Sequence, residues 1–149
     1  MKKEIHIHRV DESRLDDLAP LFDDYRVFYK QPSDIQASRS FLEERIKLNE
    51  SVVFLAYVDN TPAGFTQLYP TLSSITIQRF YILNDLYTSP NYRDLGVGKS
   101  LLDEAKKLVL EYGMKGLALE TENFNPAQKL YEREGWEKDE EYFHYFWKA

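Results

Sequence analysis

The sequence contains no cysteine among its 149 residues, which excludes disulfides, thiolate metal sites and a cysteine nucleophile. It also lacks any apolar run near the length of about 18 residues that a membrane-spanning helix needs. The first eight residues, MKKEIHIH, have no apolar region of the kind that a secretory signal carries. We therefore expect a cytoplasmic protein that has no membrane partner and that performs its chemistry with side chains other than cysteine.

Positive charge is in the minority, with 19 Lys and Arg residues against 25 Asp and Glu residues and a formal net charge of −6. This balance disfavours a nucleic-acid partner and suits a cationic small partner, although solubility is the simpler reason for the acidity. His6 and His8 share one face of a predicted strand, but no third ligand stands at a recognisable spacing. We therefore expect no metal site.

The hydrophobic pattern predicts a single α/β domain over residues 1–149, because 43% hydrophobic and 15% aromatic content argue against disorder. Alternating or continuous apolar stretches predict strands over 4–10, 52–58, 63–69, 75–87 and 116–121, with a final aromatic strand region over 136–147 that turns at 138–140. Helical periodicity predicts helices that run to about residue 29, over 35–49, over 97–112 and over 125–134. The predicted order is β-α-α-β-β-β-α-β-α-β-β.

Three local signals refine the first two helices. Asp11 or Ser13 can cap the first helix, and Pro20 is expected to kink or divide it. Ser33-x-x-Gln36 has the pattern of a capping box for the second helix. Pro70 is expected to end the third strand.

The stretch from Leu86 to Leu101, LYTSPNYRDLGVGKSL, reads as a strand end, a glycine loop and a helix start. The loop contains Arg93-x-x-Gly96-x-Gly98, and backbone N–H groups at such a helix start favour phosphate. A Walker A motif is excluded because its first glycine would stand at Arg93. A dinucleotide fingerprint is excluded because Leu101 occupies its third glycine position.

Two motifs at compatible separation resemble the GNAT superfamily of acetyl-CoA-dependent N-acetyltransferases, over nearly the whole chain. The first is residues 83–98, LNDLYTSPNYRDLGVG, which resembles the family's fourth strand and pyrophosphate loop. The second is residues 127–136, AQKLYEREGW, which resembles its Ala-x-x-Leu-Tyr-x-x-x-Gly-Phe signature. The resemblance implies an α/β fold with a mixed sheet whose central strands splay apart.

The resemblance also implies acetyl-CoA as co-substrate, with the pantetheine arm on the strand backbone and the pyrophosphate on the glycine loop. The residues that it assigns to the cofactor are Leu86, Tyr87, Thr88, Arg93, Asp94, Leu95, Gly96, Val97, Gly98, Lys99, Ser100, Asn125, Gln128 and Tyr131. Phe124 stands where the family usually has Asn, and Asn125 is expected to recover that contact.

The implied chemistry is direct attack of a primary amine on the thioester in a ternary complex, which requires a base and an acid. Tyr131 matches the family's acid. Related diamine acetyltransferases have Glu at the position of Asn84, which leaves the base open between Asp85 and a water relayed through Asn84 or a tyrosine. Strand alternation is expected to point Asp85 to the sheet face opposite Asn84.

The acceptor is expected to be a polyamine, an amino-acid-like small amine or a basic peptide, since the string Asn84-Asp85-Leu86-Tyr87 resembles the branch that acts on polyamines and basic protein tails. Tyrosines and acidic side chains suit an ammonium group. The candidate substrate residues are Tyr25, Arg26, Tyr29, Gln67, Tyr69 and Asn84, with Gln31 and Asp34 on the same elements. The aromatic end, residues 143–147, favours a homodimer. The alternatives are an acyl-CoA-binding regulatory module without turnover and, through Gly98-Lys99-Ser100, a nucleotide-binding protein.

Overall fold

The computed structural model describes residues 2–149, and the chain forms two compact units, Met1–Leu119 and Glu120–Ala149. The first unit contains five strands and three helices. In chain order these are β1 (Ile5–Arg9), α1 (Leu15–Phe28), α2 (Ile35–Lys47), β2 (Val52–Val58), β3 (Thr61–Ser73), β4 (Gln78–Thr88), α3 (Val97–Glu111) and β5 (Leu117–Ala118). Short 3-10 turns at Glu12–Arg14 and Pro90–Tyr92 precede α1 and α3.

The five strands form one mixed sheet in the order β1-β2-β3-β4-β5, which confirms the predicted fold class. The first four strands are antiparallel neighbours, whereas β5 runs parallel to β4. The β4–β5 pairing covers only Tyr81 with Leu117 and Ile82 with Ala118. Beyond Ile82, no other strand in residues 2–149 pairs with that side of β4, so its backbone there has no strand partner.

The sheet lies between two helical layers, and both faces of β2 are buried. The α1 and α2 layer packs on one face, where Leu18, Phe22 and Leu42 join Phe65 and Tyr87 in one hydrophobic core. The other face carries α3, whose buried positions keep the predicted helical spacing: Val97, Leu101, Leu102, Ala105, Leu108 and Val109. This arrangement fixes the start of α3 against the end of β4.

Three local predictions differ from the structure. α1 is continuous through Pro20, which lies on its exposed side, so the helix is not divided. The N-cap of α2 is Asp34, whose carboxylate accepts from the Ala37 N–H, so the predicted capping box at Ser33 is wrong. β3 continues past Pro70 to Ser73, because β2 pairs with β3 only as far as Leu68 and proline is tolerated where a strand is an edge.

The second unit contains α4 (Gln128–Arg133), which ends before Gly135 with its positive φ of 88°. The predicted strand region over 136–147 is wrong, because this unit has no strand among its residues. A strand forms only where another strand accepts its backbone hydrogen bonds, and no pairing involves these residues. Their aromatic side chains are exposed, including Phe143 and Trp147.

No helix in the described part of the chain is long and apolar enough to cross a membrane. Likewise, residues 2–149 bring no three His, Asp or Glu side chains together as a metal site.

Candidate functional site

A β-bulge interrupts β4 at Asn84. Leu83 pairs with Leu68 of β3 and Asp85 pairs with Gln67, so Asn84 has no partner in the register. A bulged residue disrupts the regular alternation of side chains, and bulges frequently re-aim a side chain beside an active site. As a result, the Asn84 and Asp85 side chains meet, and Asn84 Nδ2 donates to Asp85 Oδ1 over 3.1 Å. The prediction that alternation separates these neighbours is therefore wrong.

Asp85 is a buried carboxyl, with 5% of its surface exposed on the α1 side of the sheet. Its Oδ2 accepts a 2.8 Å hydrogen bond from Nε2 of Gln67, the residue opposite it on β3. Burial raises the pKa of Asp85, while hydrogen bonds from Gln67, Tyr25 and Asn84 oppose the rise. No Lys or Arg in the described chain forms an ion pair with this carboxyl.

Two tyrosines, Tyr25 and Tyr69, lie near the carboxyl. Tyr25 packs with Tyr29 and Tyr87 at ring-centroid distances of 5.0 and 6.0 Å. Burial, followed by the charge of Asp85, raises the pKa of Tyr25, and the same two causes raise the pKa of Tyr69 to about 12. These phenols therefore stay protonated near neutral pH and act as hydrogen-bond donors to Asp85 or to a ligand.

A second buried carboxyl, Asp23 on α1, has a different environment. Its oxygens accept from Ser33 Oγ at 2.6 Å, Ser38 Oγ at 3.2 Å and the Asp34 N–H at 2.8 Å. Arg26 lies 3.6 Å from it as an ion-pair partner. The Ser33 hydrogen bond is the main cause that lowers the pKa of Asp23, although burial opposes it. Asp23 thus stays ionised and ties α1 to the start of α2.

The loop between β4 and α3 has the geometry of an anion site. Gly96, the N-cap of α3, has a φ of 89° and makes no side-chain capping bond, and the first turn of α3 contains no acidic residue. A Cβ at Gly96 would meet nothing within 4 Å, so the backbone there is open to a ligand. The amide N–H groups of this turn have no intrahelical acceptors and attract anions. Arg93 adds positive charge, and its Nε donates to the Thr88 carbonyl over 3.0 Å. The Lys99 ammonium group pairs with Asp103 at 2.8 Å.

Gly64 on β3 allows the close contact that holds this loop. A Cβ at Gly64 would lie 2.6 Å from the Tyr87 carbonyl oxygen and 3.0 Å from Cγ1 of Val97. The Ser89 N–H also donates to the Ala63 carbonyl over 2.8 Å. The end of β4 and the first residue of α3 are therefore both packed against this part of β3.

The second unit contains the remaining predicted residues. The Tyr131 ring packs against Trp136 at a centroid distance of 6.0 Å. Asn125 Oδ1 accepts from the Ala127 N–H over 2.9 Å, and Gln128 Nε2 donates to the Glu122 carbonyl over 3.1 Å. Both polar side chains thus organise the turn before α4, and Phe124 is exposed.

Sequence reasoning selected most members of the Asp85 cluster, since Tyr25, Gln67, Tyr69 and Asn84 were all candidates. Arg26 and Asp34 instead belong to the Asp23 cluster, where Arg26 Nη1 also donates to the Pro32 carbonyl over 3.2 Å. Sequence reasoning missed Asp23 and Gly64. The available signal for Asp23 was a carboxylate directly after the apolar Leu21-Phe22 pair of α1, and for Gly64 a glycine inside a predicted strand.

Comparison with known proteins identifies the family. The Acetyltransferase (GNAT) family profile matches residues 16–136. YhfO, an uncharacterized N-acetyltransferase of Bacillus subtilis (strain 168), is 46% identical over 129 residues, which cover 86% of this chain and 87% of YhfO. The crystal structure of a probable acetyltransferase has a TM-score of 0.91 at 39% identity and covers 97% of both chains. The aminoglycoside N-acetyltransferase AAC(6′)-Iy, solved in complex with CoA, shares the fold with a TM-score of 0.81 at 19% identity, covering 100% of this chain and 98% of that chain.

The fold and the matches define an acetyl-CoA-dependent acyltransferase. The chain belongs to the GNAT family of acetyltransferases.

Proposed function

We propose that this protein transfers the acetyl group of acetyl-CoA to a primary amine, by direct attack in a ternary complex. The observation that carries the proposal is the buried Asp85 carboxyl, which lies beside the β4 bulge and has only neutral hydrogen-bonding partners. The acceptor classes remain those of the sequence analysis: a polyamine, an amino-acid-like small amine or a basic peptide.

Asp85 is the proposed general base. An amine that arrives as an ammonium ion must lose a proton before its nitrogen lone pair can attack. A carboxyl with a raised pKa accepts that proton more readily than an ordinary aspartate does. Asp23 is a poor base by comparison, because Arg26 and a backbone N–H hold it in the ionised state.

The tyrosines around Asp85 support a cationic acceptor. Tyr25 donates a hydrogen bond to the buried Asp85 carboxylate, and Tyr69 lies within reach of its charge. Aromatic rings beside a carboxylate favour an ammonium group. The net charge of −6 further favours the approach of a cation.

The residues fit coenzyme A. The glycine loop offers backbone donors and Arg93 to the pyrophosphate, and the unpaired side of β4 offers peptide groups to the pantetheine amides. When bound, acetyl-CoA supplies the acetyl group as a thioester whose sulfur leaves as a thiolate. Tyr131 is the proposed acid that gives its hydroxyl proton to that sulfur, as the family motif implies. Asn125 and Gln128 remain proposed contacts.

The test is an assay of free CoA release from acetyl-CoA with a panel of acceptors: polyamines, amino acids, aminoglycosides and histone-tail peptides. We expect release with at least one primary amine and none with matched tertiary amines, which have no N–H bond to replace. Silence with every primary amine defeats the proposal. The non-enzymatic alternative then requires acetyl-CoA to raise the melting temperature without any product.

Two further properties are proposals with their own tests. We expect a homodimer, because the exposed aromatic residues Phe143, Tyr145 and Trp147 offer an apolar contact surface. Light scattering of the purified protein distinguishes a dimer from a monomer. We also keep the proposal of a cytoplasmic location, which cell fractionation tests.

A further inference from the structure

Gln67 has an unexplained buried atom. The residue has 0% of its surface exposed, and its Nε2 is bonded to Asp85. Its Oε1 is also buried and has no hydrogen-bond partner within residues 2–149. A buried carbonyl without a donor is destabilising, and such groups in a folded protein call for a reason.

The partners of Asp85 share one chemical property. Gln67 and Asn84 are primary amides and Tyr25 is a phenol, so each can donate to a carboxylate and each can accept from a carboxylic acid. Arg26 and the Asp34 N–H, which hold Asp23, can only donate. The environment of Asp85 therefore accommodates both the ionised and the protonated carboxyl. The environment of Asp23 includes groups that favour the ionised carboxylate alone.

We propose that Gln67 is a positioning residue whose side-chain amide turns over as Asp85 gains and loses its proton. While Asp85 is ionised, Nε2–H of Gln67 donates to Oδ2, as in the structure. When Asp85 Oδ2 takes the proton of the incoming ammonium group, a half-turn about the last side-chain bond brings Oε1 to accept from the new O–H. The reverse rotation accompanies release of the proton to solvent.

This role explains the unpartnered oxygen. While Asp85 is ionised, Nε2 of Gln67 bonds it and Oε1 has no partner. When Asp85 is protonated, Oε1 bonds it and Nε2 takes the position without a partner. Gln67 lies directly opposite Asp85 across the strand pair. The proposed rotation is about a side-chain bond, so the backbone pairing of the two strands is kept. The inference rests on the proposed role of Asp85 as the base.

The direct test is a pH titration by NMR of protein labelled in the Asp carboxyl carbons and the Gln side-chain nitrogens. Asp85→Asn and Gln67→Met spectra assign the two signals. We expect the Gln67 amide signal to shift with the same midpoint as the Asp85 carboxyl, and to lose that shift in Asp85→Asn. The Gln128 amide is the control, because it bonds backbone carbonyls that do not titrate.

Kinetics give a second readout. In Gln67→Met the ionised carboxyl loses a donor, so the acidic limb of the kcat/KM profile should move to higher pH. We expect kcat to fall about tenfold, the loss of one charged hydrogen bond, while the KM for acetyl-CoA stays unchanged. A Gln67 amide signal that stays constant through the Asp85 midpoint overturns the inference, as does an acidic limb that Gln67→Met leaves in place.

The titration also separates this inference from the proposed function. It is readable in a protein that acetylates no amine of the panel, where a coupled titration would support the amide rotation alone. Conversely, an active enzyme whose Gln67 signal ignores Asp85 would retain the proposed function and lose the inference.

Discussion

Asn84 donates a hydrogen bond to Asp85 over 3.1 Å, although the two residues are consecutive in a strand. Regular alternation would point their side chains to opposite faces of the sheet. The bulge at Asn84 removes one residue from the pairing with β3, so that both side chains reach the same place. The amide and the carboxyl therefore work as one group, in which Asn84 orients the side chain that we propose as the base.

Asp85→Asn should separate activity from stability. We expect the rate of CoA release to fall by a factor of about 10² to 10⁴, the usual contribution of a general base, because an amide cannot take the proton. Asp59→Asn is the matched control, since it makes the same change in an exposed turn whose φ of 47° suits asparagine. Wild-type rates in Asp85→Asn would contradict the proposed base.

The same variant should be more stable at neutral pH. The folded-state pKa of Asp85 is raised above 3.8, so the ionised carboxyl opposes folding above that pKa, and the penalty disappears as the pH falls through it. We expect Asp85→Asn to gain about 1 kcal/mol at neutral pH, a few degrees in melting temperature. The gain should decrease as the pH falls below the folded-state pKa and vanish below the unfolded-state pKa. A gain that is independent of pH would point to packing instead.

Asp23→Ala should lower the stability of the protein at neutral pH, the opposite of the effect expected for Asp85→Asn. It leaves the Ser33 and Ser38 hydroxyls and the Asp34 N–H without their acceptor, which should cost about 2 to 4 kcal/mol at neutral pH. Because the folded-state pKa of Asp23 is lowered, this stability is present above the unfolded-state pKa and is lost as the pH falls through the folded-state value. Denaturant titrations across acidic pH measure it. Asp24→Ala, on the exposed side of the same helix, should change stability by less than about 0.5 kcal/mol.

Gly64→Ala should loosen the cofactor loop. Its Cβ would lie 2.6 Å from the Tyr87 carbonyl, so β4 and the start of α3 must move, at about 1 to 3 kcal/mol. We expect a lower melting temperature together with weaker acetyl-CoA binding by calorimetry. Gly116→Ala is the matched control, because a Cβ there meets nothing within 4 Å. Equal behaviour of the two variants would mean that the close contact is unimportant.

Arg93→Ala should weaken acetyl-CoA binding by about tenfold, the loss of one charge-assisted hydrogen bond, with a smaller effect at high salt. The control is Arg79→Ala, an exposed arginine at the other end of β4. Calorimetry at two salt concentrations measures both. If the two variants bind alike, the loop arginine has no special role toward the pyrophosphate.

Tyr131→Phe should lower turnover more than it lowers cofactor affinity, because it removes the proposed proton donor and keeps the ring that packs on Trp136. Single-turnover kinetics and acetyl-CoA binding measured on one preparation separate the two effects. Unchanged turnover would remove Tyr131 from the mechanism.

Sequence reasoning predicted the elements that local pattern determines. Strands β1 to β4 and helices α1 to α3 all form close to where periodicity placed them, with shifted ends at β3 and β4, since apolar spacing and glycine positions are properties of short segments. The glycine loop could be predicted for the same reason. The left-handed φ of Gly96 is a local property of the backbone that does not depend on the neighbouring strands.

The predictions that were wrong depend on contacts with residues that are distant in sequence. Whether Ser33 or Asp34 caps α2 depends on Asp23 of the preceding helix. The Ser33 hydroxyl donates its hydrogen bond to Asp23, so Asp34 is left to cap the helix. The bulge depends on how Gln67 and Leu68 of β3 align with β4. The aromatic pattern of residues 136–147 suits a strand, but a strand also needs a pairing partner, which no local pattern supplies.

The β4 bulge also affects how this chain is compared with its relatives. By its resemblance to diamine acetyltransferases the chain would be expected to have Glu at position 84, and Asn84 taken alone would suggest that the catalytic base had been lost. The extra residue at the bulge instead brings the carboxyl of the next residue, Asp85, to the side chain of Asn84. In this chain the proposed base therefore lies one residue after the position of the expected Glu, so Asn84 is weak evidence for a loss of activity.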